Sequence, residues 1–319
     1  MTRKLLAAVA FAAALGSINH AAAQDYPSRP VHLAVGYPAG LAPDLVARLI
    51  AQNLSARLGQ PFIVDNRPGA GSNIATEAVV RAAADGYTLL AVTFANAINA
   101  TLYPNLNFDI VHDIAPVIGT FRSPTVMTVT PSLPAKTVPE FIAYAKANPG
   151  KINYASSGHG TVPNVAGELF NALAGVKLVH VPYRGSFMSD LLSGQVQVTF
   201  VPMATTIGYV RAGKLRALAV TGATRWDALP DVPAMSEFLP GFDVNIWQGI
   251  GAPKGTPNDI VDKLNGEINA ALADPKIKER FTDLGGTAIG GSPDDFGKLI
   301  AGEVEKWGKV VRSANIKPE

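Results

Sequence analysis

The sequence predicts an α/β fold of two lobes with mainly parallel sheets, and three observations lead to this prediction. Strand-like and helix-like segments alternate along almost the whole chain, which is typical of α/β folds. The stretch Asn99–Pro124 is rich in Pro, Asn and Asp and shows little periodicity, so we expect it to carry the chain into a second lobe. The extended stretch Phe242–Pro253 would carry the chain back. Two lobes joined by a double crossover would enclose a cleft at the carboxyl ends of their strands.

Short apolar runs between turn residues mark the strands, and apolar residues three and four positions apart mark the helices. The predicted strands are Val31–Val35, Phe62–Asp65, Thr88–Thr93, Thr125–Val129, Lys151–Ala155, Leu178–Pro182, Gln195–Val201 and Leu215–Val220. Helices are predicted around Leu45–Leu54, Ile74–Val80, Val138–Ala147, Val165–Ala172, Ile260–Ile268 and Phe296–Val311. This order divides the chain into a first lobe at 24–124, a second lobe at 125–246, and a return to the first lobe at 247–319.

Composition excludes several classes of protein. The chain has 319 residues, of which 48% are hydrophobic and 16% charged, so it is long enough for more than one lobe and too apolar to be disordered. It contains no cysteine, which excludes disulfides, Cys-ligated zinc, iron–sulfur clusters and cysteine nucleophiles. Nucleic-acid binding normally needs a clustered excess of Lys and Arg, which a net charge of +2 does not indicate. We therefore expect no nucleic-acid partner.

The first residues resemble an export signal. Arg3 and Lys4 precede an apolar run of eleven residues, Leu5–Leu15, and Ala21–Ala23 supplies small residues before a cleavage site after Ala23. Eleven residues are too few to span a bilayer, although an uncleaved anchor is the alternative. Removal of residues 1–23 lowers Lys+Arg from 27 to 25, equal to the 25 Asp+Glu. We expect an exported, periplasmic protein with no formal net charge.

A first candidate binding loop, Gly36–Asp44, joins a predicted strand directly to a helix. The unpaired backbone N–H groups at such a helix N-terminus attract anions without a basic side chain. The alternative is an ordinary strand–helix turn in which Pro43 and Asp44 only favour the helix start.

A second loop of this kind is Tyr154–Thr161, with two hydroxyls and two glycines before a helix. These are convergent donors for a carboxylate. The alternative is a hydrolase in which Ser156 or Ser157 is the nucleophile and His159 the base. That arrangement is disfavoured because no G-x-S-x-G elbow is present and no acid is marked that would orient His159.

Other motifs are weaker. Gly69–Ile74 follows a strand and opens a helix, but Ile74 stands where a dinucleotide fingerprint needs Gly or Ala. The histidines lack metal-ligand spacing. Arg184 follows a strand and would pair either with an anion or with a structural carboxylate, and Trp247 belongs either to the core or to a cleft wall. We therefore expect a binding protein with no catalytic set, no metal and no cofactor.

At this point the chain resembles the Bug-type periplasmic solute-binding receptors of tripartite tricarboxylate transporters over nearly all of its mature length. The order and spacing of several short stretches carry the resemblance: Tyr26–Pro30, Asp44–Leu49, Leu58–Gly71, Asp85–Leu90, Asn153–Ser156, His180–Gly185, Leu229–Pro233, Ala252–Pro257 and the helix containing Trp307.

The resemblance implies a Venus-flytrap fold whose two lobes close on a small carboxylate, and delivery of that ligand to membrane transporter subunits. We expect a monomer. A receptor that signals to a sensor partner would have the same sequence features. By position, the resemblance implies ligand contacts from Tyr37, Ala39, Gly40, Leu41, Asp44, Thr93, Asn96, Ser156, Ser157, Gly158, His159, Gly160 and Thr161, and also from Arg184, Gly185 and Met203.

One departure from the family pattern concerns the first loop. The family usually has Gly-Gly, two small residues and Asp, whereas this chain has Leu41 in place of the second Gly and Pro43 before Asp44. A side chain at position 41 restricts close approach of the backbone and adds apolar surface. The hypothesis is that the cleft prefers a carboxylate with an apolar or aromatic body over a small polar acid such as citrate.

Overall fold

The computed structural model describes residues 26–318, so the predicted export signal lies outside the described residues. The strands are β1 (Val31–Val35), β2 (Phe62–Asn66), β3 (Thr88–Thr93), β4 (Ile114–Val129), β5 (Asn153–Ser156), β6 (Val179–Pro182), β7 (Val198–Pro202), β8 (Arg216–Val220), β9 (Asn245–Pro253) and β10 (Thr287–Gly290). The α-helices are α1 (Ala42–Leu58), α2 (Asn73–Val80), α3 (Phe94–Leu102), α4 (Val138–Ala147), α5 (Val162–Ala174), α6 (Met188–Ser193), α7 (Met203–Arg211), α8 (Asn258–Ala273), α9 (Pro275–Asp283) and α10 (Pro293–Ser313).

The strands form one curled sheet in which the same arrangement occurs twice. In the first half, β1 pairs in parallel with β2 and β3, and β9 lies antiparallel beside β3. In the second half, β5 pairs in parallel with β6 and β7, and β4 lies antiparallel beside β7. We call the part built on β1, β2, β3 and β9 the first lobe, and the part built on β5 to β8 the second lobe. The β1–α1 and β5–α5 junctions therefore occupy equivalent places.

The predicted α/β fold is confirmed, but the sheet is mixed rather than mainly parallel. Parallel pairing is confined to the strand–helix–strand units, since β4 pairs antiparallel with β7, β8, β9 and β10. The cause is the route of the chain: β4 leads toward the second lobe and β9 returns beside it in the opposite direction. Strands that run in opposite directions must pair antiparallel.

The expectation of an aperiodic stretch at Asn99–Pro124 is wrong at both ends. Helix α3 continues to Leu102, and from Ile114 the chain is already in β4. The register of β4 against β9 shifts after Pro116 and after Gly119. Prolines and glycines inside a strand normally argue against it, which is why the sequence pattern hid this one. Strand β10 was not predicted either.

An apolar core continues beneath both lobes. Leu90 of β3, Phe141 of α4, Phe170 of α5 and Trp307 of α10 belong to the same buried cluster. Helix α10 packs against α3 and β4 and also against α5 of the second lobe. The C-terminal helix thus contacts both lobes and the crossover strand β4.

A buried carboxylate fastens α10 to the returning strand. Glu303 accepts hydrogen bonds from the indole Nε1 of Trp247 on β9, at 3.1 Å, and of Trp307, at 2.8 Å. It also pairs with Lys306, whose Nζ donates to the carbonyl of Asp243. Trp247 is therefore a core residue, and the preceding residue, Ile246, faces the cleft described below.

In residues 26–318, every helix is too short or too polar to span a bilayer.

Candidate functional site

The loop between β1 and α1 turns on Gly40, whose φ of +86° is a conformation that favours glycine. The N–H of Gly40 donates to Asp44 Oδ2 at 2.8 Å, which closes the loop onto the first turn of α1. Leu41 is the N-cap and is 49% exposed. An apolar side chain therefore stands where a helix usually has a polar cap.

Asp44 lies beneath this loop, 1% exposed. Its carboxylate accepts from Gly40, from Arg48 at 2.9 Å and from Asn66 at 2.8 Å. Burial favours the protonated acid, but the hydrogen bonds from Arg48, Gly40 and Asn66 outweigh it and hold the pKa of Asp44 below its usual value. Asp44 thus shapes the loop from below and does not line the cleft.

The loop between β5 and α5 is built in the same way. Gly160 has φ +71°, and its N–H donates to Asn164 Oδ1 at 3.0 Å. Thr161 is the N-cap, and its hydroxyl donates to the carbonyl of Gly158 at 2.7 Å. Within the described residues, no side chain accepts a hydrogen bond from the first turn of α5 as a cap. The backbone N–H groups of that turn can therefore donate to a ligand.

Ser156 and His180 form a hydrogen-bonded pair that resembles part of a hydrolase site but is built into the protein interior. Ser156 is fully buried, and its hydroxyl contacts His180 Nε2 and accepts from the N–H of Gly158. His180 stacks on Tyr154, and the ring of His159 stands perpendicular to it. A nucleophile needs access to its substrate, so this serine positions the Gly158 turn.

Two further strand–helix junctions flank these loops. At the start of α3, Asn96 accepts from the N–H of Thr93 and donates to Thr76, so both predicted residues are buried in a capping box. The hydroxyl of Tyr37 contacts Thr93. Burial raises the pKa of Tyr37, and this hydrogen bond offsets only part of the rise, so Tyr37 remains a neutral donor.

At the start of α7 the N-cap is Pro202, which offers no side-chain cap. The predicted residue Met203 is buried in a small cluster with Val126 and Val220. Thr205, on the first turn of α7, faces the cleft instead. The helix-start logic applied to the first two loops would have found this third junction.

A cleft of about 590 Å³ lies between the lobes, and both loops open into it. The predicted residues that line it are Tyr37, Leu41, Ser157, His159, Gly160 and Thr161. The predicted residues outside its lining are Ala39, Gly40, Asp44, Thr93, Asn96, Ser156, Gly158, Arg184, Gly185 and Met203. Of the latter, Asp44, Thr93, Asn96 and Ser156 support the loops from beneath, and Arg184 is exposed at the surface.

The cleft also contains residues that sequence reasoning missed, most of them apolar. From the first lobe and the crossover come Gly71, Phe94, Ala95, Asn99, Leu102, Tyr103 and Ile246. From the second lobe come Val162, Pro163, Phe187, Val201, Pro202 and Thr205. They were missed because the fold, rather than any local pattern, brings the starts of α3, α6 and α7 together.

The electrostatics of the cleft depend on backbone and hydroxyl donors. Among the described residues that line it, none is Lys or Arg, and His159 is the one ionisable residue besides the tyrosines. Nor do residues 26–318 contain a cluster of His, Asp or Glu that could hold a metal ion. The arrangement suits an anion held by N–H groups at helix starts, with an apolar wall around the rest of the ligand.

Known proteins share both sequence and fold with this chain. Residues 46–316 match the family described as "Tripartite tricarboxylate transporter family receptor". The protein BugT of Bordetella pertussis is 36% identical over 322 residues, covering 99% of each chain. Rpa4515 of R. palustris, solved with adipate, is 37% identical with a TM-score of 0.77, covering 92% of this chain and 100% of that one.

MatC from Rhodopseudomonas palustris, solved with bound malate, is 32% identical with a TM-score of 0.73, covering 90% of this chain and 100% of that one. The matched family is one of receptors rather than enzymes, and the solved neighbour BugD, 34% identical with a TM-score of 0.73 over 92% of this chain and 100% of that one, is a periplasmic binding protein. The hydrolase alternative, with Ser156 or Ser157 and His159, therefore has no support from the relatives, although Ser157 and His159 both line the cleft. This chain belongs to the tripartite tricarboxylate transporter family of receptors.

Proposed function

We propose that this receptor captures a small carboxylate with an apolar or aromatic body between its two lobes and delivers it to the membrane subunits of a tripartite tricarboxylate-type transporter. The observation that carries the proposal is the cleft itself. Helix starts that no side chain caps open into it, and most of its remaining wall is apolar. Backbone donors suit one carboxylate, whereas that wall suits a body without further charge.

Leu41 supports the proposal that the body of the ligand is apolar. Its side chain lines the cleft and is 49% exposed, so it presents apolar surface to a ligand. A second or third carboxylate in the ligand would have to sit against such groups without a cationic partner, and burial of an unpaired charge is costly. The relatives solved with adipate and malate support the carboxylate class.

Capture would follow from a shift between open and closed forms. A ligand that touches both lobes stabilises the closed form by the difference in its affinity for the two forms. The membrane subunits would then distinguish the closed form from the open one.

We also propose the division into lobes at 24–124, 125–246 and 247–319, export with cleavage after Ala23, and a monomeric receptor. Two features support the division: β4 pairs with β9 up to Pro124 and with β7 from Thr125 onward. The intact mass of the exported protein tests the cleavage site, and its light scattering tests the monomer.

Calorimetric titration of the purified receptor tests the ligand class. The panel contains citrate, malate and adipate on one side, and benzoate, phenylacetate and 3-phenylpropanoate on the other. We expect at least one aromatic acid to bind ten times more tightly than any of the three aliphatic acids. Tighter binding of citrate or malate would refute the apolar body, and no binding by any of the six acids would count against the cleft as a carboxylate site.

A further inference from the structure

The two loops that face each other across the cleft have the same backbone design but different side chains. The first has Gly-x-x-Pro-Asp at 40–44 and the second has Gly-x-x-Pro-Asn at 160–164. In each, a glycine of positive φ donates its N–H to the side chain four residues later, at 2.8 Å in the first loop and 3.0 Å in the second. Residues at equivalent positions can therefore be compared directly.

At three equivalent positions the second loop carries the more polar or the less negatively charged residue. Leu41 corresponds to Thr161, whose hydroxyl donates to the carbonyl of Gly158, and Ala39 corresponds to His159, whose polar ring lines the cleft. Beneath the loops, Asp44 corresponds to a neutral asparagine.

The charge beneath the first loop opposes an anion above it. Asp44 is ionised and buried directly under Gly40 and the start of α1, and its partner Arg48 extends to the exposed surface of α1. Its negative charge offsets part of the positive end of that helix. In the second loop, the neutral Asn164 accepts the same glycine N–H and leaves the helix end of α5 undiminished.

The amide side chain that the first lobe contributes to the cleft is also committed elsewhere. Asn99 donates from Nδ2 to the carbonyl of Gly71 at 2.7 Å and to Asn73 Oδ1 at 2.9 Å. With both amide protons used, Asn99 offers the cleft only its acceptor oxygen. Phe94 and Leu102, beside it on α3, are apolar.

We infer that the ligand binds with a fixed polarity: its carboxylate lies against the second lobe, at His159 and the first turn of α5, and its apolar body lies against Leu41, Phe94 and Leu102 of the first lobe. This inference rests on the proposed function and adds which lobe holds which end of the ligand. Leu41 and His159 then determine specificity at opposite ends.

Two variants that exchange a residue for its counterpart in the other lobe test this polarity. His159→Ala removes the polar ring at the carboxylate end, and Leu41→Thr removes apolar surface at the body end. His112→Ala and Leu45→Thr are the matched controls, because both residues are outside this cleft. The probes are benzoate, phenylacetate and 3-phenylpropanoate, together with phenylacetamide, which has the body of phenylacetate without the charge.

The preference for acid over amide and the gain in affinity with body size are measured separately by calorimetry. We expect His159→Ala to reduce the preference for phenylacetate over phenylacetamide by roughly tenfold and to leave the gain per methylene, about fourfold, unchanged. Leu41→Thr should reduce that gain and leave the acid preference unchanged. Both controls should bind like the unaltered protein.

The opposite pattern, with Leu41→Thr affecting the acid preference and His159→Ala the body series, overturns the polarity while the proposed function stands. Equal effects of both variants on both quantities also overturn it, because the ligand would then bind in either direction. If none of the three acids binds the unaltered protein, the proposed function and the polarity fail together.

Discussion

The close approach of Gly160 to Leu102 provides a test of whether closure of the lobes controls binding. Gly160 belongs to the second-lobe loop and Leu102 to α3 of the first lobe, and both line the cleft. A Cβ added at Gly160 would lie 2.3 Å from Leu102 Cδ2, well inside van der Waals contact. The substitution Gly160→Ala therefore forces either the leucine or the two lobes to move.

The size of the effect follows from two separate costs. A left-handed conformation costs an alanine about 1–2 kcal/mol, and Gly160 has φ +71°. Moving Leu102 off its rotamer, or separating the lobes, costs about 1 kcal/mol more. Because the second cost is paid only when the lobes are close, it weakens ligand binding by about fivefold.

Gly175 is the matched control. It has φ +62° and ends α5, and a Cβ there meets no atom within 4 Å. Gly175→Ala should therefore lose about 1–2 kcal/mol of unfolding free energy and bind phenylacetate normally. Urea unfolding and calorimetry of both variants separate the two costs. If Gly160→Ala binds as tightly as Gly175→Ala, the Leu102 contact does not limit closure and the reasoning is wrong.

Two further predictions concern buried carboxylates. The pKa of Asp44 is lower in the native protein than in the unfolded chain, so its ionisation contributes stability above about pH 4 that is lost as the pH falls through the native-state pKa. In Asp44→Asn, the unfolding free energy should therefore fall less steeply below pH 4. Urea titrations at several pH values measure this. Glu303→Leu leaves two indole N–H groups and a lysine without their buried partner, so we expect a loss of about 3 kcal/mol in urea unfolding. The exposed Glu305→Leu is its control; an equal loss there would contradict the role of Glu303.

Much of the fold could be predicted because many of its strands and helices show the expected spacing of apolar residues in the local sequence. Strand β3 and helix α4 match their predicted bounds, since both are uninterrupted apolar patterns between clear turn residues. Strand β4 could not be predicted in full, because Pro116 and Pro124 interrupt its pattern and its partners are far away in sequence. A strand whose stability comes from distant pairing leaves little local signal.

The candidate site divides in the same way. The loops at Gly40 and Gly160 were predicted because strand, glycine and helix start follow one another in the sequence. Phe94, Phe187 and Ile246 were not, because an apolar residue at a helix start or strand start is equally typical of the core. These residues line a cleft because the fold places the two lobes on either side of them, which no local pattern shows.

The repeated loop design also bears on the inferred polarity, in which a protein without net charge in its predicted mature form would hold an anion at one end of the ligand. Both loops use a glycine N–H to fasten the turn to the helix below. Leu41 is exposed and apolar, so it can change without loss of a side-chain hydrogen bond, whereas Thr161 is half-buried and its hydroxyl donates to the carbonyl of Gly158 within the loop. In the proposed binding mode, the ligand chemistry is set by a few side chains on this pair of loops, and not by the electrostatic field of the whole protein.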